Sequence, residues 1–264
     1  MVRQKRKLTQ QERHAQILAL LKREGTVRIA TLADLFAVTT ETARRDLDDL
    51  AQAGALNRTY GGGASRSLTD EPGIGERGRA YAAERSRIGA AAAALIEPGE
   101  ALMIDCGSTT SLFAHALAAR ALPLTVLTNC LPAARALGAS AQCRVMLCPG
   151  EYVAREGGVY GADTLEFIRR FKANKAIIGA GGVTVDGVMD ADSAGCAVKR
   201  AMMERAGRTM LLADSSKYDL AQFERVCDLS DVDDLVSEAP PGKALAAALR
   251  HARTNVTIAR AASA

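Results

Sequence analysis

An α/β chain in two parts is what this sequence predicts: a small helical module, then a larger domain of alternating strands and helices around a largely parallel sheet. Three observations carry that reading. Beyond residue 80, short apolar runs of strand character alternate with helical periodicity. Just before it, Gly61-Gly62-Gly63 opens a stretch rich in Ser, Pro and Gly that reads as a linker. Charge divides at the same place: residues 1–62 hold 11 Lys+Arg against 7 Asp+Glu, and the remaining 202 hold 23 of each. The expected organisation is a module over 1–62, a linker over 63–79 and a domain over 80–264.

Composition excludes several classes. With 48% hydrophobic residues in 264, the chain has enough apolar surface for a real core. The longest apolar run, 90–96, falls far short of the ~18 residues that span a bilayer, so no membrane partner is expected. Residues 1–28 are charged and lack the apolar stretch of a secretory signal, which points to the cytoplasm. Six cysteines, at 106, 130, 143, 148, 196 and 227, form no CxxC pair, and three histidines complete no zinc-ligand spacing. They read as reduced thiols, with neither metal nor cofactor expected. Without Trp and with 4% aromatic residues, a base-stacking surface for single strands is unexpected.

In the module, helical spacing covers Gln10–Glu24, with Ile17, Leu18 and Leu21 on one face and Gly25 as the stop. A short helix Ile29–Phe36 carries Leu32 and Leu35. Thr39 is placed to cap a third helix running to about residue 53, whose Ala43, Leu47 and Leu50 form one buried stripe. Residues 55–60 read as a short strand turning at the glycines. Two short helices, a tight turn, a capped basic helix and a β-wing make a winged helix-turn-helix. Such a helix fits the major groove of duplex DNA with its first residues at base edges. With the stripe inward, Thr39, Thr40, Glu41, Arg44 and Arg45 are left to face DNA, and Arg58 and Tyr60 on the wing face backbone or minor groove.

The longer domain reads as helix 80–96, strand 101–105, helix 109–119, strand Leu124–Thr128, helix 132–137 and strand 144–147. Helix 164–171, strand 175–179, helix 196–206 and strand 209–213 follow, then strand 234–236, helix 243–253 and strand 256–258. Between the first strand and its helix stands Asp105-Cys106-Gly107-Ser108-Thr109-Thr110. Gly107 permits close backbone approach, while Ser108, Thr109 and Thr110 offer hydroxyls and N–H groups at a helix start, a natural anion site. Thr128-Asn129, Gly150 and the run Gly179-Ala180-Gly181-Gly182 also fall at strand ends, where parallel sheets bind ligands. Thr184 stands at the third glycine position, so that run is no dinucleotide fingerprint. Lys199 and Lys217 are placed to neutralise a phosphate.

The run 38–47, Val-Thr-Thr-Glu-Thr-Ala-Arg-Arg-Asp-Leu, followed by Gly-Ala-Leu-Asn-Arg-Thr-Tyr-Gly-Gly at 54–62, resembles the signature of the DeoR family of bacterial transcription regulators. The likeness extends over essentially the whole chain, through 105–110, Thr128-Asn129, 179–182, 198–202 and 213–217. It implies a sensor domain similar to sugar-phosphate isomerases. It also implies a sugar-phosphate effector held by Asp105, Gly107, Ser108, Thr109, Thr110, Asn129, Gly150, Gly181, Lys199 and Lys217. Residues 155–161 with Leu165-Glu166-Phe167 look most like the glycerol-3-phosphate repressor branch. Two departures stand out: the family's Gly-Gly is Pro149-Gly150 here, and its glutamate four residues before the lysine is Gly195.

The function implied is a ligand-responsive repressor of a carbohydrate or polyol operon, without enzymatic activity. Its partners are double-stranded operator DNA and a small phosphorylated sugar or polyol. One recognition helix reads few base pairs, so a homodimer or homotetramer is expected. The alternative is an isomerase-like enzyme. That chemistry needs a general base, and the nearest carboxylates, Asp105, Asp190 and Asp192, form no marked pair.

Overall fold

The computed structural model describes residues 8–52, 55–64, 67–69, 73–79 and 81–260. They fall into two compact units, Met1–Asp70 and Glu71–Ala264.

The first unit opens with α1 (Gln10–Glu24), whose Thr9 hydroxyl accepts from the Glu12 N–H while the Glu12 carboxylate accepts from the Thr9 N–H. This reciprocal cap satisfies two of the donors a helix start leaves unpaired. Gly25 ends α1 at φ +73°, donating its N–H to the Leu21 carbonyl. Strand β1 (Thr26–Arg28) leads into α2 (Ile29–Phe36), and α3 (Thr40–Gln52) follows a turn through Ala37 in the left-handed region. Ile17, Leu21, Leu32, Phe36, Ala43, Leu47 and Leu50 are buried together. Leu18 and Leu35 are instead exposed, because they sit at the margins of their helices' apolar stripes.

Two strands, β2 (Asn57–Thr59) and β3 (Gly62–Ala64), complete an antiparallel sheet in the order β1-β3-β2. Gly62–Ala64, which the sequence suggested straddles the start of a linker, is therefore the middle strand of the wing. Of the glycines that read as a break, Gly61 turns the chain at φ +78° and Gly62 and Gly63 are there for packing. A Cβ at Gly62 would overlap the Val27 carbonyl, and one at Gly63 would stand 3.1 Å from Leu56.

The second unit begins inside the expected linker, with α4 (Ile74–Arg79), where Ile74 N–H donates to the Arg155 carbonyl at 2.9 Å. Then come α5 (Ala82–Ala94), β4 (Ala101–Ile104), α6 (Ser108–Ala118), β5 (Leu124–Thr128), α7 (Leu131–Gly138) and β6 (Cys143–Leu147). The hairpin β7 (Glu151–Val153) and β8 (Gly158–Tyr160) precedes α8 (Ala162–Arg169) and β9 (Ala173–Gly179). The chain continues through β10 (Gly182–Thr184), β11 (Gly187–Asp190), α9 (Ser193–Arg205), β12 (Ala206–Leu212) and β13 (Glu224–Cys227). It ends with β14 (Asp234–Ser237), α10 (Lys243–Ala252) and β15 (Asn255–Ile258). Strands β7, β8, β10, β11 and β13 were not foreseen. They are three or four residues long and antiparallel, too short to show a period.

The main sheet has seven parallel strands in the order β15-β14-β12-β9-β4-β5-β6. From β4 the chain builds outward through β5 to β6, then returns to the other side of β4 with β9, β12, β14 and β15. The winding reverses between β4 and β9. A crevice outside their carboxyl ends is where such sheets bind ligands. Helices α5 and α6 pack closely on each other: a Cβ at Gly89 would meet the Phe113 N at 2.8 Å.

Candidate functional site

In the first unit the structure places Thr39, Thr40, Glu41, Arg44 and Arg45 together on the exposed start of α3. Thr39 caps the helix by accepting from Thr42 N–H at 3.1 Å. Glu41 lies 3.5 Å from both Arg44 and Arg45, an exposed pairing of small energy that leaves both arginines able to turn to a polyanion. Tyr60 stands fully exposed at the tip of the wing. Arg58 is committed otherwise: its Nε donates to Asp48 on α3 at 2.8 Å and its Nη1 to the Gly62 carbonyl, so it ties the wing to α3. Behind the helix, buried Asp46 accepts from Arg13 at 2.6 and 2.9 Å and lies 3.2 Å from His14 Nε2. Those contacts fix how far α3 stands off α1.

In the second unit, a small cleft opens where the sheet reverses. Gly107, Ser108 and Thr109 line it at the start of α6, with Gly179 and Ala180 from the end of β9. No side chain caps α6. Its first N–H groups and the positive end of its dipole therefore face the cleft. Arg77, Lys199 and Lys217 line it as well, with Asp190 opposite. Lys199, 6% exposed, is held between Asp190 at 2.9 Å and Asp105 at 3.1 Å. Burial alone would lower its pKa, but the two carboxylates outweigh burial and raise it well above the usual lysine value. Burial likewise works to raise Asp190, and Lys199 more than reverses that, holding it below its usual range. Asp105 also accepts from Gly179 N–H, at 3.2 Å to each oxygen, which joins the ends of β4 and β9.

Of the residues marked from sequence, Gly107, Ser108, Thr109, Lys199 and Lys217 come together at the cleft, with Asp105 beneath Lys199. The others stand apart from its lining. Thr110 donates its hydroxyl to the Asp105 and Gly107 carbonyls and braces the loop. Asn129 is fully buried and donates to the Val159 carbonyl. Gly150, at φ +138°, leaves no room for a Cβ beside Thr164 and Tyr160. Gly181 packs against Asp190 and donates to the Met189 carbonyl.

Sequence reasoning missed two arginines. Arg77 pairs with Glu156, and Arg85 lies buried with its Nε on Asp214 at 2.7 Å and its Nη1 on the Ser108 hydroxyl at 3.0 Å. Nothing marked them, since Arg77 fell in the apparent linker and Arg85 in an alanine-rich helix. A larger cavity of about 490 Å³ lies by Arg208, Thr209 and Asp233, at the amino ends of the strands, away from the reversal. The cleft is preferred because loops and a helix dipole converge there. No group of metal-ligating side chains occurs among the described residues, and no helix among them is long and apolar enough to cross a membrane.

Comparison with known proteins finds family models and relatives that match most of this chain. The model of the DeoR-like helix-turn-helix domain matches residues 13–69, and that of the DeoR C terminal sensor domain matches residues 81–239. The glycerol-3-phosphate regulon repressor of Escherichia coli is 34% identical over 89% of this chain and 93% of its own. That of Haemophilus influenzae is 32% identical over 89% of this chain and 92% of its own. Among solved structures, ribose 5-phosphate isomerase A from Methanocaldococcus jannaschii aligns at 15% identity over 52% of this chain and 55% of its own, with a TM-score of 0.39.

Proposed function

The chain belongs to the DeoR family of DNA-binding transcription regulators, and from that premise we propose that it is a repressor released from its operator by a phosphorylated polyol or sugar. The observation that carries the effector half is the uncapped start of α6 at the sheet reversal, flanked by Arg77, Lys199 and Lys217. A phosphate dianion leaves water only where donors and positive charge replace its hydration. N–H groups, hydroxyls and cations converge here. Glycerol 3-phosphate is the first candidate, because it is small and because relatives covering this chain almost end to end carry its name. The chain acts as a homodimer or homotetramer, as one recognition helix reads too few base pairs for an operator.

A sensor fits this cleft better than an enzyme does. Asp105 and Asp190 are both engaged with Lys199, so neither is free to shuttle a substrate proton. The decisive experiment measures operator retention with glycerol 3-phosphate, glycerol and inorganic phosphate. Release by the first and not by glycerol is expected. A ligand at 100 times its dissociation constant also adds about 2.7 kcal/mol of stability, which a thermal shift reads. Equal release by glycerol overturns the phosphate requirement.

A further inference from the structure

Cys106 and Cys130 occupy matching places on adjacent parallel strands. Ile104 pairs with Thr128 in the β4–β5 ladder, and each cysteine lies two residues further on, just beyond the carboxyl end of its strand. Neighbouring strands run roughly 4.8 Å apart, inside the ~4.4–6.8 Å between Cα atoms that a disulfide requires. Gly158 packs against both: it bridges Cys130 across an antiparallel contact, and its Cβ position is 3.0 Å from the Cys106 sulfur. Cys106 donates to the Glu156 carbonyl at 3.1 Å, and the Cys130 sulfur lies 3.5 Å from the Ser111 hydroxyl. Cys106 lines the anion cleft, between Asp105 and Gly107, and Cys130 lies buried behind it. All six cysteines are unpaired.

We propose that Cys106 and Cys130 form a reversible dithiol switch at the back of the cleft, closed to a disulfide by a small hydroperoxide and opened by a thiol reductant. The chemistry balances with hydrogen peroxide as oxidant. The Cys130 thiolate takes one peroxide oxygen: an S–O bond forms, the O–O bond breaks, and with one proton the departing hydroxide leaves as water. The Cys106 sulfur then attacks the resulting sulfenic acid. An S–S bond forms, the S–O bond breaks, and the hydroxide leaves as water with the Cys106 proton. Two thiols lose two electrons, and one peroxide becomes two waters.

The neighbouring Cys106 thiol, the Ser111 hydroxyl and the Ala133 N–H lower the Cys130 thiol against burial, and Cys106 is pushed up. Thiolate is the attacking form, so crosslinking speeds up as pH rises. Closing the bond draws Cys106 off the Glu156 carbonyl and shifts Gly107, Ser108 and Thr109, so the oxidised protein binds anions poorly. That consequence rests on the proposed function of the cleft; the crosslink itself does not.

Full-length protein is treated with hydrogen peroxide and digested without reductant, while inorganic phosphate and glycerol 3-phosphate binding is followed by calorimetry before oxidation, after it, and after dithiothreitol. The expected result is a peptide pair joined through Cys106 and Cys130. Phosphate affinity should fall by about tenfold or more and return on reduction. Cys130→Ser keeps its phosphate affinity after peroxide. Oxidation of other thiols without the 106–130 link overturns the switch, as does a link that leaves affinity unchanged. If neither anion binds the reduced protein, the effector reading falls, and the crosslink is judged on the peptide alone.

Discussion

At the scale of single residues, the structure separates groups that meet an effector from groups that hold the meeting place. Gly107, Ser108 and Thr109 were legible in the sequence because a strand end, a glycine and a helix start stand in one short run. Arg85 was not, since its partners Asp214 and Ser108 come from distant segments. Gly150, Gly181 and Asn129 drew attention as strand-end residues, yet their side-chain space and contacts belong to the scaffold. A strand end tells where a residue lies and not which way its side chain turns. Gly195 is clarified by its surroundings: a Cβ there would stand 3.3 Å from Asp192 Oδ2 and 3.7 Å from Lys199 Nζ. Lys199 is already shared by two aspartates, so a carboxylate at 195 crowds it and adds negative charge beside an anion site. Gly195→Glu should weaken phosphate binding by about 1–2 kcal/mol, roughly tenfold, as expected for one charge at partial burial. Calorimetry checks this; tighter binding would mean the position is built to hold a carboxylate. The buried Arg85–Asp214 pair yields a second prediction. Burial works to raise Asp214, but Arg85 and Ser216 prevail and hold it below the usual range. Its contribution to stability is complete above the unfolded aspartate pKa of about 3.9 and fades as pH falls from there through the lower folded value. Arg85→Ala leaves a buried carboxylate unpaired and should cost about 3–5 kcal/mol. Arg85→Lys, which keeps the charge, should cost less and retain part of the acid limb in a thermal melt taken from pH 6 to pH 2.

At the scale of elements, α1 and α3 were legible because a local signal marks the stop of the first and the start of the second. Gly25 and Thr39 are local signals that need no tertiary contact to be read, whereas the Thr9–Glu12 cap went unmarked. The wing was only half legible. Its middle strand is Gly-Gly-Ala, and glycines chosen for close packing look the same in a sequence as glycines chosen for freedom. Within α3, reading and anchoring are carried by different faces. Asp46 faces inward to Arg13 and His14, and Arg44 faces solvent. Asp46→Ala should destabilise the first unit by about 2–3 kcal/mol, since it strands a largely buried guanidinium, and should weaken binding to every DNA sequence alike. Arg44→Ala should leave the melt unchanged and lose about 1–3 kcal/mol of preference for operator over random duplex. Fluorescence anisotropy with the two duplexes at two salt concentrations separates these outcomes. If Arg44→Ala keeps full operator preference, base reading lies elsewhere on α3.

At the scale of the whole molecule, the order of strands explains why an anion site exists at all. A sheet that winds outward from β4 and restarts beside it at β9 leaves a gap that no crossover covers, and Asp105 ties its two lips together through Gly179. The alternating pattern predicted the parallel sheet, but strand order is set by which helix covers which face, and a linear pattern does not record it. For a ligand in that gap to govern DNA binding, it must favour the DNA-incompetent state by its difference in affinity for the two states. A tenfold loss of operator affinity needs only about 1.4 kcal/mol of such difference. Lys199 is a poor residue for testing this, because removing it leaves Asp105 and Asp190 facing each other without a cation. Thr109 and Lys217 line the cleft without carrying that pair. Thr109→Val and Lys217→Ala should therefore bind operator as the parent does, while glycerol 3-phosphate no longer releases it at concentrations that free the parent. A titration of operator complex with the polyol phosphate, for the parent and both variants, reads this directly. Undiminished release in both variants would place the effector outside the cleft. Lost operator binding in both, with the fold intact, would make the cleft part of the DNA-competent state itself.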